Sequence, residues 1–161
     1  MTEPKLECPT TVKCARSTDE EPLMSFLRLM HAENGMAPID EPKVRGILRR
    51  GITRDQGLIG VIRGAERIEG SVGLFAGCWW YTADQNRHLE DLWCFVHPAH
   101  RRSAHAKELL AFSKWAAQEL GIPLLMGVLS NERTAPKVRL YTRQLGQPTG
   151  ALFVIGTKAP A

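Results

Sequence analysis

The residues best suited to chemistry lie between Val96 and Leu110, in the run Val-His-Pro-Ala-His-Arg-Arg-Ser-Ala-His-Ala-Lys-Glu-Leu-Leu. An apolar strand-like run ends at Pro98, and Arg101 and Arg102 stand where a helix begins. The first turn of a helix carries backbone N–H groups without internal partners, and its dipole favours an anion. Ser103, Ala104 and Ala106 are small enough for a ligand to approach that backbone, and the two arginines offer charge-assisted contacts. A diphosphate would be held well there. The same residues also make an ordinary capped helix with solvated arginines, and these properties alone leave the two readings level. The Gly-rich fingerprints GxGxxG and GxxxxGK[ST] are absent, which disfavours a Rossmann dinucleotide site and a Walker loop.

Four other groups could move protons or bonds. Glu90 sits beside Asp91 in a strand-like run, His88 precedes it with a suitable unperturbed pKa of about 6.5, and Tyr141 lies on a late helix. Cys8, Cys14, Cys78 and Cys94 form no CxxC pair and no Cys/His cluster at metal spacing. They read as reduced thiols, with Cys78 and Cys94 in apolar stretches of the core. No metal site is expected. Cys94 has no visible histidine–acid pair to activate it, so covalent catalysis is disfavoured.

The elements that must position these groups follow from periodicity. Thr11–Ala15 is a first short strand. Ser17 or Thr18 then caps a helix, with Glu20 or Glu21 completing a capping box and Pro22 in its first turn. Leu23, Phe26, Leu27, Met30 and His31 define its buried face, and Gly35 ends it. A second helix starts near Asp40, turns Val44, Ile47 and Leu48 inward and stops at Gly51. Gly57–Arg63 and Glu69–Trp80 read as an antiparallel hairpin, followed by a strand over Leu89–Val96. Ala106, Leu109, Leu110, Ser113, Ala117 and Leu120 make one helical stripe, ended by Gly121 and Pro123. A strand over Leu124–Leu129, a helix from about Thr134 to Gln144 and a final strand at Ala151–Ile155 complete the order β–α–α–β–β–β–α–β–α–β. A strand, a helix and a strand in succession imply a right-handed crossover onto a parallel neighbour. The class is α/β (α+β), with a mixed, twisted central sheet and helices on both faces.

At 161 residues, 43% hydrophobic and 24% charged, the chain fits one soluble domain over 1–161, with loose ends at 1–9 and 157–161. No apolar run spans a bilayer and Met1–Lys13 lacks a signal-peptide core, so a cytoplasmic location is expected and no membrane partner. The net charge of +4, with basic residues at Arg45, Arg49, Arg50, Arg101 and Arg102, suits an anionic cofactor, an acidic substrate or weak nucleic-acid contact.

The Arg101–Ala106 segment with Leu109-Leu110 resembles motif A of the Gcn5-related N-acetyltransferases, Q/R-x-x-G-x-G/A followed by an aliphatic pair. It departs from that pattern at Ala104, where the family has glycine. The likeness extends over roughly residues 10–156 in element order. Val96-x-Pro98 resembles the end of the family's fourth strand, and Ser130-Asn131 with Leu140-Tyr141…Gly146 resembles its asparagine and "LY…G" helix, although Gln147 replaces the usual phenylalanine.

The resemblance implies that strands four and five splay apart around a pantetheine arm. The backbone of Cys94, Phe95 and Val96 would pair with its amides. The N–H groups of Arg101, Arg102, Ser103, Ala104, His105, Ala106 and Lys107 would take the pyrophosphate of acetyl-CoA or another acyl-CoA, and Asn131 would contact the cofactor from the other side. Glu90 would be the general base, with His88 as the alternative, and Tyr141 would protonate the leaving thiolate.

The acceptor implied is an amine of a small molecule or protein, reached past His31, Glu33, Asn34, Trp79, Trp80, Tyr81 and Asp84. Strand alternation sends one of the two tryptophans outward, where it could stack on an acceptor or on a second copy of the chain in a homodimer. A non-catalytic acyl-CoA-binding module is the alternative activity. A nucleic-acid-associated protein is a third reading, which no recognisable motif supports.

Overall fold

The computed structural model describes residues 11–130 and 133–156. Both expected loose ends, Cys8 and Asn131 therefore lie outside the described residues. In chain order the elements are β1 (Lys13–Cys14), α1 (Glu20–Asn34), α2 (Glu41–Thr53), β2 (Gly57–Arg63), β3 (Ile68–Cys78), β4 (Arg87–Val96), α3 (His105–Leu120), β5 (Leu124–Leu125) and α4 (Thr134–Leu145). The five strands lie in sequence order, antiparallel from β1 to β4 and parallel between β4 and β5.

Period-two alternation along the strands gives the sheet two apolar faces, and each is covered. Ile59, Val61, Phe75, Trp93 and Phe95 pack beneath α1 and α2 with Leu23, Met24, Phe26, Leu27 and Leu48. Leu58, Ile62, Val72, Leu74 and Leu89 pack beneath α3 with Leu109, Phe112, Ala116 and Ala117. The mixed sheet with helices on both faces is as expected.

Several local expectations are corrected. Neither Ser17 nor Thr18 caps α1. The Asp19 carboxylate instead accepts from the Arg16 N–H at 2.6 Å and from Arg63 Nε at 3.0 Å, tying the first helix to the sheet. Gly51 does not stop α2, which continues to Thr53; it is a close-approach residue, since a Cβ there would lie 2.6 Å from the Ile59 side chain. Cys78 is exposed, because it is the last residue of β3 and runs beyond the helical cover. The strand expected over Leu124–Leu129 is only two residues long, and Ala151–Ile155 forms no strand. Leu152, Phe153 and Ile155 are exposed.

The basic cluster on α2 is largely matched by acids. Arg45 pairs with Glu21, Arg49 with Glu20 at 2.9 Å, and Arg50 with Asp55 at 3.6 Å. Little of that charge is left to attract a polyanion.

Asp19 is 6% exposed, and its ionisation is linked to folding. Burial alone would raise its pKa, but the hydrogen bonds from Arg63 and the Arg16 backbone outweigh that and hold it below the ordinary value of 3.8. A carboxyl with a lowered folded-state pKa adds stability that is complete above its unfolded pKa and is lost as pH falls through the folded one. Asp19→Asn is expected to cost about 1–3 kcal/mol at neutral pH. In thermal melts the gap between wild type and variant should close below about pH 4. A gap that stays constant down to pH 2 would show that this ion pair is not linked to folding.

Candidate active site

The site grows out of one irregularity in β4. Gly73 pairs with Trp93, but its neighbour Leu74 pairs with Asp91, so Leu92 is an extra residue without an opposite number. Such a β-bulge shifts the side-chain alternation by one. On the Arg87 side of it, His88 and Glu90 point to the α1–α2 face, opposite Gly77 and Phe75, while Asp91 points to the α3 face. Beyond it, Trp93 and Phe95 fill the core under α1, and Cys94 turns toward α4.

On its outer edge β4 pairs with β5 only at Leu89 and Glu90. The two chains then separate. Asp91 Oδ1 accepts from the Gly127 N–H at 2.7 Å, a side-chain tie across the start of the gap. Beyond it, the outer edge of β4 from Leu92 to Val96 has no strand beside it among the described residues. An exposed strand edge of this kind can accept an extended amide chain as a further strand.

Two adjoining cavities occupy the gap. One, of about 260 Å³, lies between the end of α1 (Met30, His31, Asn34), Asp91–Phe95, Gly127–Leu129 and the pair Lys137 and Tyr141. The other, of about 150 Å³, runs from Cys94–Val96 past Arg101, Ser103 and Ala106 to Lys137, Leu140 and Tyr141. Cys94, Phe95, Lys137 and Tyr141 line both, so they mark the junction.

At that junction the Tyr141 hydroxyl and the Cys94 thiol face each other. Burial, reinforced by Cys94, holds the phenol protonated well above its ordinary pKa. Burial likewise pushes the Cys94 thiol up to about 12, which leaves it protonated and a poor nucleophile. Burial lowers the pKa of Lys137 against the opposing attraction of Glu33.

The turn after β4 is held by its own side chains. Ser103 Oγ donates to the His100 carbonyl at 2.6 Å and accepts from the His105 N–H at 3.2 Å, so that N–H already has a partner. The N–H groups of Ala106 and Lys107 fall in the first turn of α3, where no intrahelical acceptor exists. Arg101 pairs with Glu33 of α1, and its guanidinium lies 5.5 Å from the Phe95 ring centre. It therefore braces the turn against α1. Arg102 is exposed.

Glu90 lies on the opposite face from Tyr141. Its carboxylate is 3.3 Å from His88 Nε2, and the buried His88 ring packs on Trp79 at 4.7 Å. Trp79 stacks in turn on Tyr81, whereas Trp80 is 93% exposed; the strand expected to run to Trp80 ends at Cys78, so a turn and not strand alternation sets the two tryptophans apart. Tyr141 lines both cavities, whereas Glu90 lines neither and sits where β4 is still paired with Leu125 of β5, so the structure does not bring the two together at the gap. Asp91 and Lys137 were not singled out from the sequence. The helical spacing of Lys137, four residues before Tyr141, was a signal for the second, whereas Asp91 becomes visible only once the bulge is known.

No protein-family model matches the sequence, and no curated protein does. Solved structures do. A predicted acetyltransferase from Clostridium acetobutylicum, with acetyl-CoA, aligns with a TM-score of 0.68 at 16% identity, covering 90% of this chain and 94% of that one. This is the fold of the Gcn5-related N-acetyltransferases. AAC(6')-Iy, in complex with the bisubstrate analogue CoA-S-monomethyl-acetylneamine, gives 0.67 at 15% identity over 92% and 97% of the two chains. The aminoglycoside antibiotic 6'-N-acetyltransferase AAC(6')-IG from Acinetobacter haemolyticus gives 0.65 at 12% identity over 92% and 99%. The separation of β4 from β5 after Glu90 is therefore built on the Gcn5-related N-acetyltransferase fold.

Asp91 offers a direct check on the polarity of the gap. Burial pushes its carboxyl up to about 6, against the lowering effect of the Gly127 N–H. A carboxyl with a raised folded-state pKa costs stability as pH rises, here between about 4 and 6. Asp91→Asn keeps an acceptor for Gly127 and removes that cost. In denaturant melts the variant is expected to be more stable than wild type above pH 6, by about 1–3 kcal/mol, with the two curves converging near pH 4. A difference independent of pH would mean that Asp91 titrates normally.

Proposed function

We propose that the chain is an acetyl-CoA-dependent N-acetyltransferase that passes the acetyl group directly to a primary amine. The observation that carries this reading is the outer edge of β4, unpaired among the described residues, leading to a half-buried, protonated Tyr141. The backbone of Cys94, Phe95 and Val96 would pair with the pantetheine amides. The free N–H groups at the start of α3, with Arg102 and Lys137, would hold the pyrophosphate.

In the reaction the amine nitrogen attacks the thioester carbonyl carbon and the C–S bond breaks. The proton lost from nitrogen goes to Glu90, directly or through His88 or a water. The departing sulfur takes the Tyr141 proton. Base and acid act on different atoms, the amine nitrogen and the departing sulfur, so two separate groups are required, and Glu90 and Tyr141 would divide those roles. The acceptor would enter on the α1–α2 face, where Trp79 and Tyr81 form an aromatic wall beside the half-exposed Glu90. A cationic amine fits an aromatic wall with a carboxylate. Aminoglycosides, the substrates named for one structural neighbour, are therefore a first acceptor class to screen.

Calorimetric titration should give saturable one-to-one binding of acetyl-CoA and desulfo-CoA, lost on reversing the charges of Arg101 and Arg102 together. With a responsive amine, Tyr141→Phe is expected to lower kcat by about 10²-fold with acetyl-CoA affinity kept within about twofold. Glu90→Gln should do the same and remove the acid limb of the pH–rate profile. Were Asp91→Asn to remove that limb instead, the base would be Asp91. If no CoA ligand binds at millimolar concentration, the acyltransferase reading falls.

A further inference from the structure

Beside the cofactor turn the fold gathers groups that acyl transfer does not use. Glu69, near the start of β3, directs one carboxylate oxygen, Oε2, at two imidazoles, His105 Nε2 at 2.7 Å and His100 Nδ1 at 3.5 Å. One ligand atom from each of the three residues lies within 4.8 Å of the other two. A hydrogen-bonded pair needs one imidazole for that oxygen, whereas a metal ion needs all three groups converging on a common point. Bonds of about 2.0–2.1 Å in a tetrahedral zinc site set its donor atoms about 3.4 Å apart. The Glu69–His100 spacing already meets this, and the Glu69–His105 pair would have to open by under about 1 Å.

The backbone that carries these ligands is fixed. The Glu69 carbonyl accepts from the His97 N–H at 2.8 Å, and the His97 carbonyl accepts from the His100 N–H at 2.8 Å. The second ring nitrogen of His105 faces Glu108 Oε2 at 3.7 Å, and Thr11 Oγ1 donates to that oxygen at 2.7 Å. At that distance the carboxylate is a charged neighbour and not a hydrogen-bond partner, and it would orient a ligating imidazole only on closing to about 3 Å. The side chains of Glu69, His100 and His105 are 21%, 32% and 18% exposed, open enough for an ion to enter and sheltered enough to hold it.

We propose that Glu69, His100 and His105 bind one divalent transition-metal ion, Zn²⁺ by ligand type, with a fourth position left to water. The site is independent of the acyl-transfer reading. It revises the sequence expectation of no metal, because Glu69 lies on a strand remote in sequence from the two histidines and no spacing rule joins them. Since His105 opens α3 and His100 lines the smaller cavity, a bound ion would also stiffen the turn beside that cavity.

The test is titration of the metal-free full chain with Co²⁺, followed by displacement with Zn²⁺. One equivalent of Co²⁺ should develop the visible d–d bands of a four-coordinate site without thiolate charge transfer, and Zn²⁺ should abolish them and raise Tm. Glu69→Gln and His105→Gln are each expected to weaken Zn²⁺ binding at least about tenfold. His100→Asn, on an exposed turn, serves as the variant least disturbing to the fold, and the metal-free Tm of each variant checks folding. Absence of bands at millimolar Co²⁺, bands that survive all three substitutions, or charge transfer that disappears with Cys78→Ser would each overturn the proposal.

Discussion

The candidate site depends on a single extra residue. With regular alternation across Leu92, Trp93 and Phe95 would turn toward α3 and Cys94 toward α1, and the two cores would lose their partners. The bulge is held in place from both sides. A Cβ on Gly73 would come within 2.4 Å of the Trp93 ring, so glycine is what lets that indole lie flat across β3. Trp93 Nε1 then donates to Ser71 Oγ at 3.1 Å, which satisfies its one polar group inside the core. Leu92 itself is 48% exposed, and that exposure is the cost of the register change.

The same residue explains how neighbouring carboxyls come to do different things. Glu90 and Asp91 are adjacent in sequence and face opposite sides of the sheet. Glu90 meets His88 and an aromatic wall, half open to solvent. Asp91 is half-buried beside the gap, ties the chain after β5 to β4 and is pushed up toward neutrality. Two identical functional groups are thus set apart by environment alone. The parallel β4–β5 pairing then has only one register step before it ends, so the gap is a consequence of stopping the ladder early.

Much of this architecture was legible in the sequence. The strand at Gly57–Arg63 and the long helix ended by Gly121 follow from periodicity and stop signals, and the structure reproduces both ends. The turn after Val96 was legible as a chemical locus because small residues and arginines meet a helix start there. The misses share a cause. Ala151–Ile155 has strand-like side chains, but a strand exists only when its backbone groups find a neighbouring edge, and β5 ends at Leu125. Cys78 has apolar neighbours in sequence yet lies past the helices that would cover it. The side on which Asp91 and Cys94 emerge depends on a pairing irregularity with Gly73, a contact between strands that no one-dimensional pattern encodes. The convergence of Glu69 on His100 and His105 is of the same kind.

The electrostatics of the turn follow from what its charges already touch. Arg101 looks in the sequence like a phosphate ligand, yet it is engaged by Glu33 and lies over Phe95, so its positive charge is partly neutralised before any ligand arrives. Its effect is to fix the angle between α1 and the start of α3. Lys137 differs because burial lowers its pKa, which is the mark of an ammonium short of a counter-charge. An anion entering the gap would supply that charge and relieve its desolvation. The backbone N–H groups of Ala106 and Lys107 stand in the same position, polar and awaiting an acceptor. An anion entering the cleft would meet one half-buried lysine and the start of α3, while Arg101, engaged by Glu33, fixes the turn that leads into α3.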